Sequence, residues 1–269
     1  MSSADLRLLP ITKIIPHEGY DPFRVQRLVS SFQSTGLLFE PLIVTEHHGN
    51  FILLDGATRT QALRELSISQ AAVQVVRYLK PEVRVRAWNH VIFNFPISTL
   101  LSDLEAKRGL SIKHWFELPN VALENHDVVA KIISPSGNCF GVIKSDPDLG
   151  MAWVLNQIVG IYRGSARVYR STQLNLQFLR NEYPGFCIAI AFPRFQPNDV
   201  LQSAASGDHF PMGITRHIIA ERVKNLNLPL NILRERPSSE RYSQASQHRD
   251  PEKISNQETE HRDSTSILP

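Results

Sequence analysis

The sequence predicts an α+β fold built from two regions, and three observations carry that prediction. Strand and helix patterns alternate from about Leu6 to Val76. The apolar run Phe51 to Leu54 stops at Asp55-Gly56 and gives way at once to an amphipathic helix. A chain of 269 residues that is 42% hydrophobic can bury a core as one large domain or two small ones.

Each element has a local reason. Leu8 to Ile15 reads as a strand. Pro22 suits the first turn of a helix, with Asp21 before it as the cap. Val25, Leu28, Val29 and Phe32 then recur at helical spacing, and Gly36 ends the helix. Leu42-Ile43-Val44 and Phe51 to Leu54 flank His47-His48-Gly49-Asn50, a hairpin by its Gly-Asn turn. Ala57 to Leu66 is a helix with Ala62, Leu63 and Leu66 on one face, and Ala71 to Val76 returns as a strand. These elements make a first unit over 1–79.

A second α+β region over 80–235 completes the cleft. Val83, Val85 and Ala87 alternate with charged residues as a strand does. Ser98 to Lys107 is a helix with Ser98 as its cap. Val128 to Ile133 and Phe140 to Ile143 are a strand pair joined by Pro135-Ser136-Gly137-Asn138. Asp148 to Tyr162 is a helix, Phe186 to Phe192 a buried strand, and Asn198 to Ala205 a short helix. Gly213 to Leu233 closes the fold. Over 236–269, Ser, Gln, Glu, Arg, His and Asp dominate, which predicts a disordered tail.

Composition excludes several classes. No apolar run is long enough to cross a membrane. The start of the chain lacks the basic-then-apolar profile of a secretion signal. Cys139 and Cys187 read as buried free thiols of a cytoplasmic protein. A net charge of +3 is too mild to drive strong DNA binding by itself.

The stretch Asp55-Gly56-Ala57-Thr58-Arg59-Thr60 has the layout of an anion site. A strand delivers the chain, a glycine lets the backbone come close, and a helix start aims free N–H groups outward. Thr58 and Thr60 can donate hydroxyls, and Arg59 can grip phosphate oxygens with its planar fork. Asp55 repels a bare phosphate, so it suggests Mg²⁺ or a hydroxyl donor beside the anion. An ordinary strand–turn–helix with Asp55 as the cap is the plainer alternative. The basic residues Arg84 and Arg86 alternate with Val83 and Val85, which is one solvated strand face rather than a DNA stripe.

The order of these segments resembles the ParB/sulfiredoxin superfamily. More narrowly it resembles the free L-serine kinases. They carry a His-Glu pair after the first strand, here His17-Glu18, and a D-G-x-H-R motif, here Asp55-Gly56-Ala57-Thr58-Arg59. Trp88-Asn89-His90 resembles their W-x-H step. Pro211 to His217, then Arg222 and Leu226-Asn227-Leu228-Pro229-Leu230, resembles their C-terminal segment. The pairing of His17-Glu18 with Thr215-Arg216 is what points to this branch. Two other branches fit less well. Ala57 stands where sulfiredoxin needs cysteine, and Ala57-Thr58-Arg59 keeps one basic residue of the ParB box.

The resemblance implies a kinase that moves a phosphoryl group from ATP or ADP to free L-serine, giving O-phospho-L-serine for siderophore or other specialised metabolism. It implies Glu18 as the base, because phosphoryl transfer to an alcohol needs mainly positioning, charge stabilisation and one proton acceptor. Asp55 would position Mg²⁺ or the transferred group. Gly56, Thr58, Arg59 and Thr60 would hold phosphate. His90, Thr215, Arg216 and His217 would contact serine or its phosphate, with Arg216 suited to the carboxylate. Thr58 stands where the kinases carry histidine, so that position offers a hydrogen bond but no charge. The alternatives are a ParB-like, nucleotide-gated DNA-binding regulator and a kinase-like sensor without turnover.

Overall fold

The computed structural model describes residues 4–79, 83–115, 128–234 and 266–267. Pro10 divides the expected first strand. β1 (Asp5–Pro10) and β2 (Ile14–Pro16) are separated by a 3₁₀ turn over Ile11–Lys13. Proline has no N–H for a ladder, and the N–H of Ile11 bonds to Ser69 O at 3.0 Å, so the chain swings to a new position. α1 (Pro22–Thr35) starts at Asp21, whose side chain accepts from the N–H of Phe23 at 2.9 Å and of Arg24 at 3.3 Å. Gly36 ends it in the left-handed conformation, φ 67°. β3 (Leu37–Leu38), β4 (Leu42–His47) and β5 (Asn50–Asp55) follow. His47 pairs with Asn50, so the hairpin turn is His48-Gly49 rather than Gly49-Asn50. Both turn residues have positive φ, 48° and 77°, as a tight hairpin requires. α2 (Ala57–Glu65) and β6 (Gln70–Val75) complete the unit.

The first sheet runs β1-β6-β4-β5-β2, which puts the two halves of the expected first strand at opposite edges. Its central strands are buried on both faces, and this explains why Leu42–Val44 and Phe51–Leu54 are unbroken apolar runs. Phe51 and Leu53 face α1 and α2, where they meet Val25, Phe32, Ala62 and Leu63. Ile52 and Leu54 face the other way and join a core that includes Ile132, Leu155 and Ile158.

The second region adds β7 (Val83–Ala87), β8 (Asn89–Phe93), α3 (Ile97–Glu105), β9 (Leu110–Trp115), β10 (Val128–Ile133) and β11 (Cys139–Lys144). Pro96 precedes α3 as its cap, and Ser98 lies inside the first turn instead. α4 (Met151–Tyr162), β12 (Arg167–Ser171), α5 (Leu176–Glu182), β13 (Ile188–Ala191) and α6 (Pro197–Ser206) come next. β14 (Thr215–Ile219), β15 (Leu228–Pro229), α7 (Leu230–Arg234) and β16 (Ser266–Ile267) end the described chain. β9, β12 and α5 were not expected from the sequence.

The second sheet runs β16-β12-β8-β13-β10-β11-β9 and is antiparallel throughout. β14 pairs with β7 in a separate ribbon. The tail expected over 236–269 falls outside the described residues except for Ser266–Ile267, which pairs with β12. Cys139 is buried and Cys187 half-buried, and no disulfide joins them. No helix among the described residues is long and apolar enough to cross a membrane.

Candidate active site

A cavity of about 490 Å³ opens where β2, α1, β5, α2, β12 and the approach to β14 converge. Glu18 lines it from the loop after β2. Asp55 to Arg59 line it from the β5–α2 junction, Arg24 and Arg27 from α1, and Arg170 from β12.

The β5–α2 junction is built around Gly56. Its φ is 109°, a left-handed conformation that favours glycine. A Cβ there would stand 2.7 Å from Leu42 Cδ2 and 3.2 Å from Arg59 Nη2. Gly56 itself is the N-cap of α2, without a side-chain capping bond, so Asp55 is not the cap. The first N–H groups of α2 therefore have no intrahelical acceptors, and Ala57 and Thr58, which carry two of them, line the cavity. Thr58 lies in the cavity wall. Thr60 does not line the cavity: it is buried, and its hydroxyl donates back to Gly56 O at 3.0 Å.

Asp55 and Arg59 close this turn as an ion pair one helical turn apart. Arg59 Nη1 also donates to the carbonyls of Glu40 at 3.1 Å and Pro41 at 2.7 Å. The fork expected to hold phosphate is thus largely occupied by the protein. Arg222 Nη2 donates to Asp55 Oδ2 at 2.7 Å and to Glu40 Oε2 at 3.0 Å. Removal from bulk water pulls the Asp55 pKa up, but Arg59 and Arg222 outweigh it and hold the carboxyl below its usual range. Only Oδ2 of Asp55 is engaged among the described residues, which leaves Oδ1 for a ligand.

The other end of the cavity is organised around Glu18. A backbone bridge fixes it: Phe210 N–H donates to His17 O, and Gly19 N–H donates to Phe210 O, both at 2.9 Å. Thr215 Oγ1 lies 2.6 Å from Glu18 Oε2 and 2.9 Å from His17 Nε2. His17 Nδ1 lies 2.6 Å from Leu53 O, an acceptor, so it carries a proton. Burial pushes the His17 pKa down, against the opposing pull of Glu18 and the Leu53 carbonyl.

β14 alternates, and the alternation sorts its residues. Thr215 and His217 point one way. His217 Nε2 lies 2.7 Å from the Tyr78 hydroxyl, its ring stands edge-on to His17, and burial lowers its pKa to about 3. Arg216 points the other way and stacks on Trp88, its guanidinium carbon 4.6 Å from the ring centre. Both ring nitrogens of His90 are used, Nδ1 at 2.7 Å from the Tyr162 hydroxyl and Nε2 at 3.1 Å from Gly213 O. His90 therefore supports the cavity wall from behind.

Sequence reasoning missed Asp21, Arg24, Arg27 and Arg170 as cavity residues. Arg24 and Arg27 sit three apart on α1, a spacing that puts both on one helix face. That spacing was a usable signal. Arg170 lies within an unpredicted strand and had none.

No protein-family model matches the chain. It is 25% identical over 238 residues to the ATP-dependent L-serine kinase SbnI of Staphylococcus aureus, covering 86% of this chain and 84% of that protein. The solved structure of SbnI with a C-terminal truncation superposes with a TM-score of 0.70 at 22% identity, covering 87% of this chain and 90% of that one. A free serine kinase in complex with AMP superposes with a TM-score of 0.71 at 14% identity, covering 86% and 95%. That kinase has also been solved with one glutamate replaced by alanine or by glutamine. Over most of its length the chain is therefore similar in sequence to an L-serine kinase, and it shares the α+β architecture of these two solved structures.

Proposed function

We propose that this chain is a free L-serine kinase that transfers a phosphoryl group from ATP or ADP to the L-serine hydroxyl. One observation carries this reading: Glu18 and the open N-terminus of α2 line the same cavity. A proton acceptor and a phosphate cradle are what such a transfer requires. The likeness to an L-serine kinase over most of both chains supports the choice of substrate.

In this mechanism the serine oxygen forms the new P–O bond while the bond to the bridging oxygen of the nucleotide breaks. The hydroxyl proton passes to Glu18, and the electron pair leaves with the shortened nucleotide. The N–H groups of Ala57 and Thr58 and the Thr58 hydroxyl donate to phosphate oxygens. Arg24 and Arg27 supply the positive charge that threonine at position 58 lacks. Asp55 fits Mg²⁺, since its carboxyl is held ionised and Oδ1 is without a partner among the described residues. When bound, the ion neutralises charge on the nucleotide phosphates.

The test is phosphorus NMR of the purified protein with Mg²⁺, L-serine and either nucleotide, beside Glu18→Gln. A phosphoserine resonance that disappears in the variant is expected. Folded wild-type protein that gives no phosphoserine with either nucleotide overturns the proposal.

A further inference from the structure

Among the described residues, two buried side-chain atoms of the candidate site, Asp21 Oδ2 and Arg170 Nε, lack a hydrogen-bond partner. They carry opposite charges and do not bond to each other. Arg170 as a whole is half-buried, but unsatisfied buried polar atoms in folded proteins call for an explanation. Both side chains line the cavity, so a ligand there carrying the complementary pair of charges would meet both.

Both groups are held in place. Asp21 is 5% exposed, and its Oδ1 is committed to the start of α1. That fixes the carboxylate and leaves Oδ2 without a protein donor. Arg170 lies against Gly213, where a Cβ would stand 2.8 Å from Cζ and Nε. Gly213 has φ 77° and is tied through its carbonyl to His90, which Tyr162 holds in turn. The wall beside the guanidinium is therefore rigid and without a side chain. Burial lowers the Arg170 pKa, while Glu18, Asp55 and Asp21 act in the opposite sense. Arginine keeps its charge in such surroundings.

We propose that Arg170 and Asp21 form a zwitterion clamp, in which Arg170 takes the α-carboxylate and Asp21 the α-ammonium of a free amino acid. The inference rests on the serine kinase reading and deepens it. Glu18 lines the same cavity, so this clamp would direct the serine hydroxyl toward the base. Serine inside a peptide carries neither charge at its α-carbon, so the clamp selects the free amino acid. It also gives Arg170 the carboxylate role that the sequence suggested for Arg216, whose side chain stacks on Trp88.

The test compares L-serine with ethanolamine, which lacks the carboxylate, and 3-hydroxypropanoate, which lacks the ammonium. Full-length wild type, Arg170→Gln and Asp21→Asn are measured by kcat/KM and by calorimetry with Mg²⁺ and a non-hydrolysable ATP analogue. Asparagine preserves the cap of α1, and Asp21→Ser is a second capping variant should it be needed. Wild type is expected to prefer L-serine to either analogue by about 10- to 100-fold, the worth of a hydrogen bond to a charged group. Arg170→Gln should lose the preference over ethanolamine only. Asp21→Asn should lose the preference over 3-hydroxypropanoate only. Nucleotide affinity should stay within about threefold in both.

Retained preferences overturn the clamp and leave the kinase reading standing. Weakened nucleotide binding with unchanged serine binding overturns it too, and assigns Arg170 to phosphate. Calorimetry with L-alanine, a zwitterion without the hydroxyl, separates the two readings. If no phosphoryl transfer occurs but L-alanine binds wild type and not the variants, the clamp stands and the kinase reading falls. If neither amino acid binds wild type, the clamp is overturned.

Discussion

The Thr215 hydroxyl lies 2.6 Å from the Glu18 carboxylate, and the same oxygen is 2.9 Å from His17 Nε2. Counting protons gives this contact its meaning. His17 Nδ1 must donate to Leu53 O, and Thr215 has one proton for two neighbours. Full satisfaction of the chain needs one more proton, on Glu18 or on His17 Nε2. Glu18 carrying a proton taken from substrate completes the chain, so Thr215 is a positioning residue for the base.

Thr215→Val keeps the shape and removes the hydroxyl. It should lower kcat by at least about tenfold, a part of what a positioned general base contributes. KM for L-serine should change little, and Thr215→Ser should restore kcat. Urea unfolding should show a loss of about 1–3 kcal/mol, because buried His17 Nε2 loses its partner. Equal damage from Thr215→Ser would show that shape, not the hydroxyl, matters.

Gly56 predicts a backbone effect. At φ 109°, with Leu42 and Arg59 crowding the missing Cβ, Gly56→Ala must either strain or displace the start of α2. A cost of about 1–3 kcal/mol in urea unfolding is expected, together with weaker nucleotide binding by calorimetry. Unchanged nucleotide affinity would mean that the α2 N-terminus does not hold phosphate.

Glu18, Asp55 and Gly56 were legible because their signals are local: a strand ends, a loop or glycine follows, a helix begins. The same locality made Asp21 legible as a cap but hid its free oxygen, which only the converging cavity shows. Arg170 was hidden because β12 alternates Arg167, Tyr169 and Ser171 with Val168 and Arg170, too weak a pattern to read as a strand. Its neighbour Gly213 is distant in sequence. Thr215-Arg216-His217 reads in sequence as one functional unit, but neighbours on a strand face opposite ways. The break at Pro10 was readable in principle, since proline cannot donate to a ladder.

Arg216 and the α1 arginines should therefore behave differently. Arg216→Gln should leave KM for L-serine within about threefold and cost about 0.5–1 kcal/mol of stability through the lost stacking on Trp88. Arg24→Gln or Arg27→Gln should instead raise KM for nucleotide by about tenfold, with weaker salt dependence than wild type. Steady-state kinetics with each substrate varied in turn separates these outcomes. A large serine KM effect in Arg216→Gln would return that residue to the site.

Stability should fall as pH is lowered through the range where histidine titrates. His90 is 1% exposed and its pKa is lowered to about 4, chiefly by burial, while that of His217 is lowered to about 3 for the same leading reason. Unfolded histidine binds its proton near pH ~6.5. From there down to about pH 4 the unfolded state holds more protons than the folded one, so acid favours unfolding. For His90 the loss between pH ~7 and pH ~5 is on the order of 2 kcal/mol. Urea midpoints at those two pH values measure it, provided the slope of each transition is unchanged. His90→Gln retains a donor and an acceptor but cannot titrate, so its midpoint should depend less on pH than that of wild type. The same pH dependence in the variant would mean that His90 takes up its proton alike in the folded and unfolded protein, which would require Tyr162 to accept rather than donate at Nδ1 once the ring is charged.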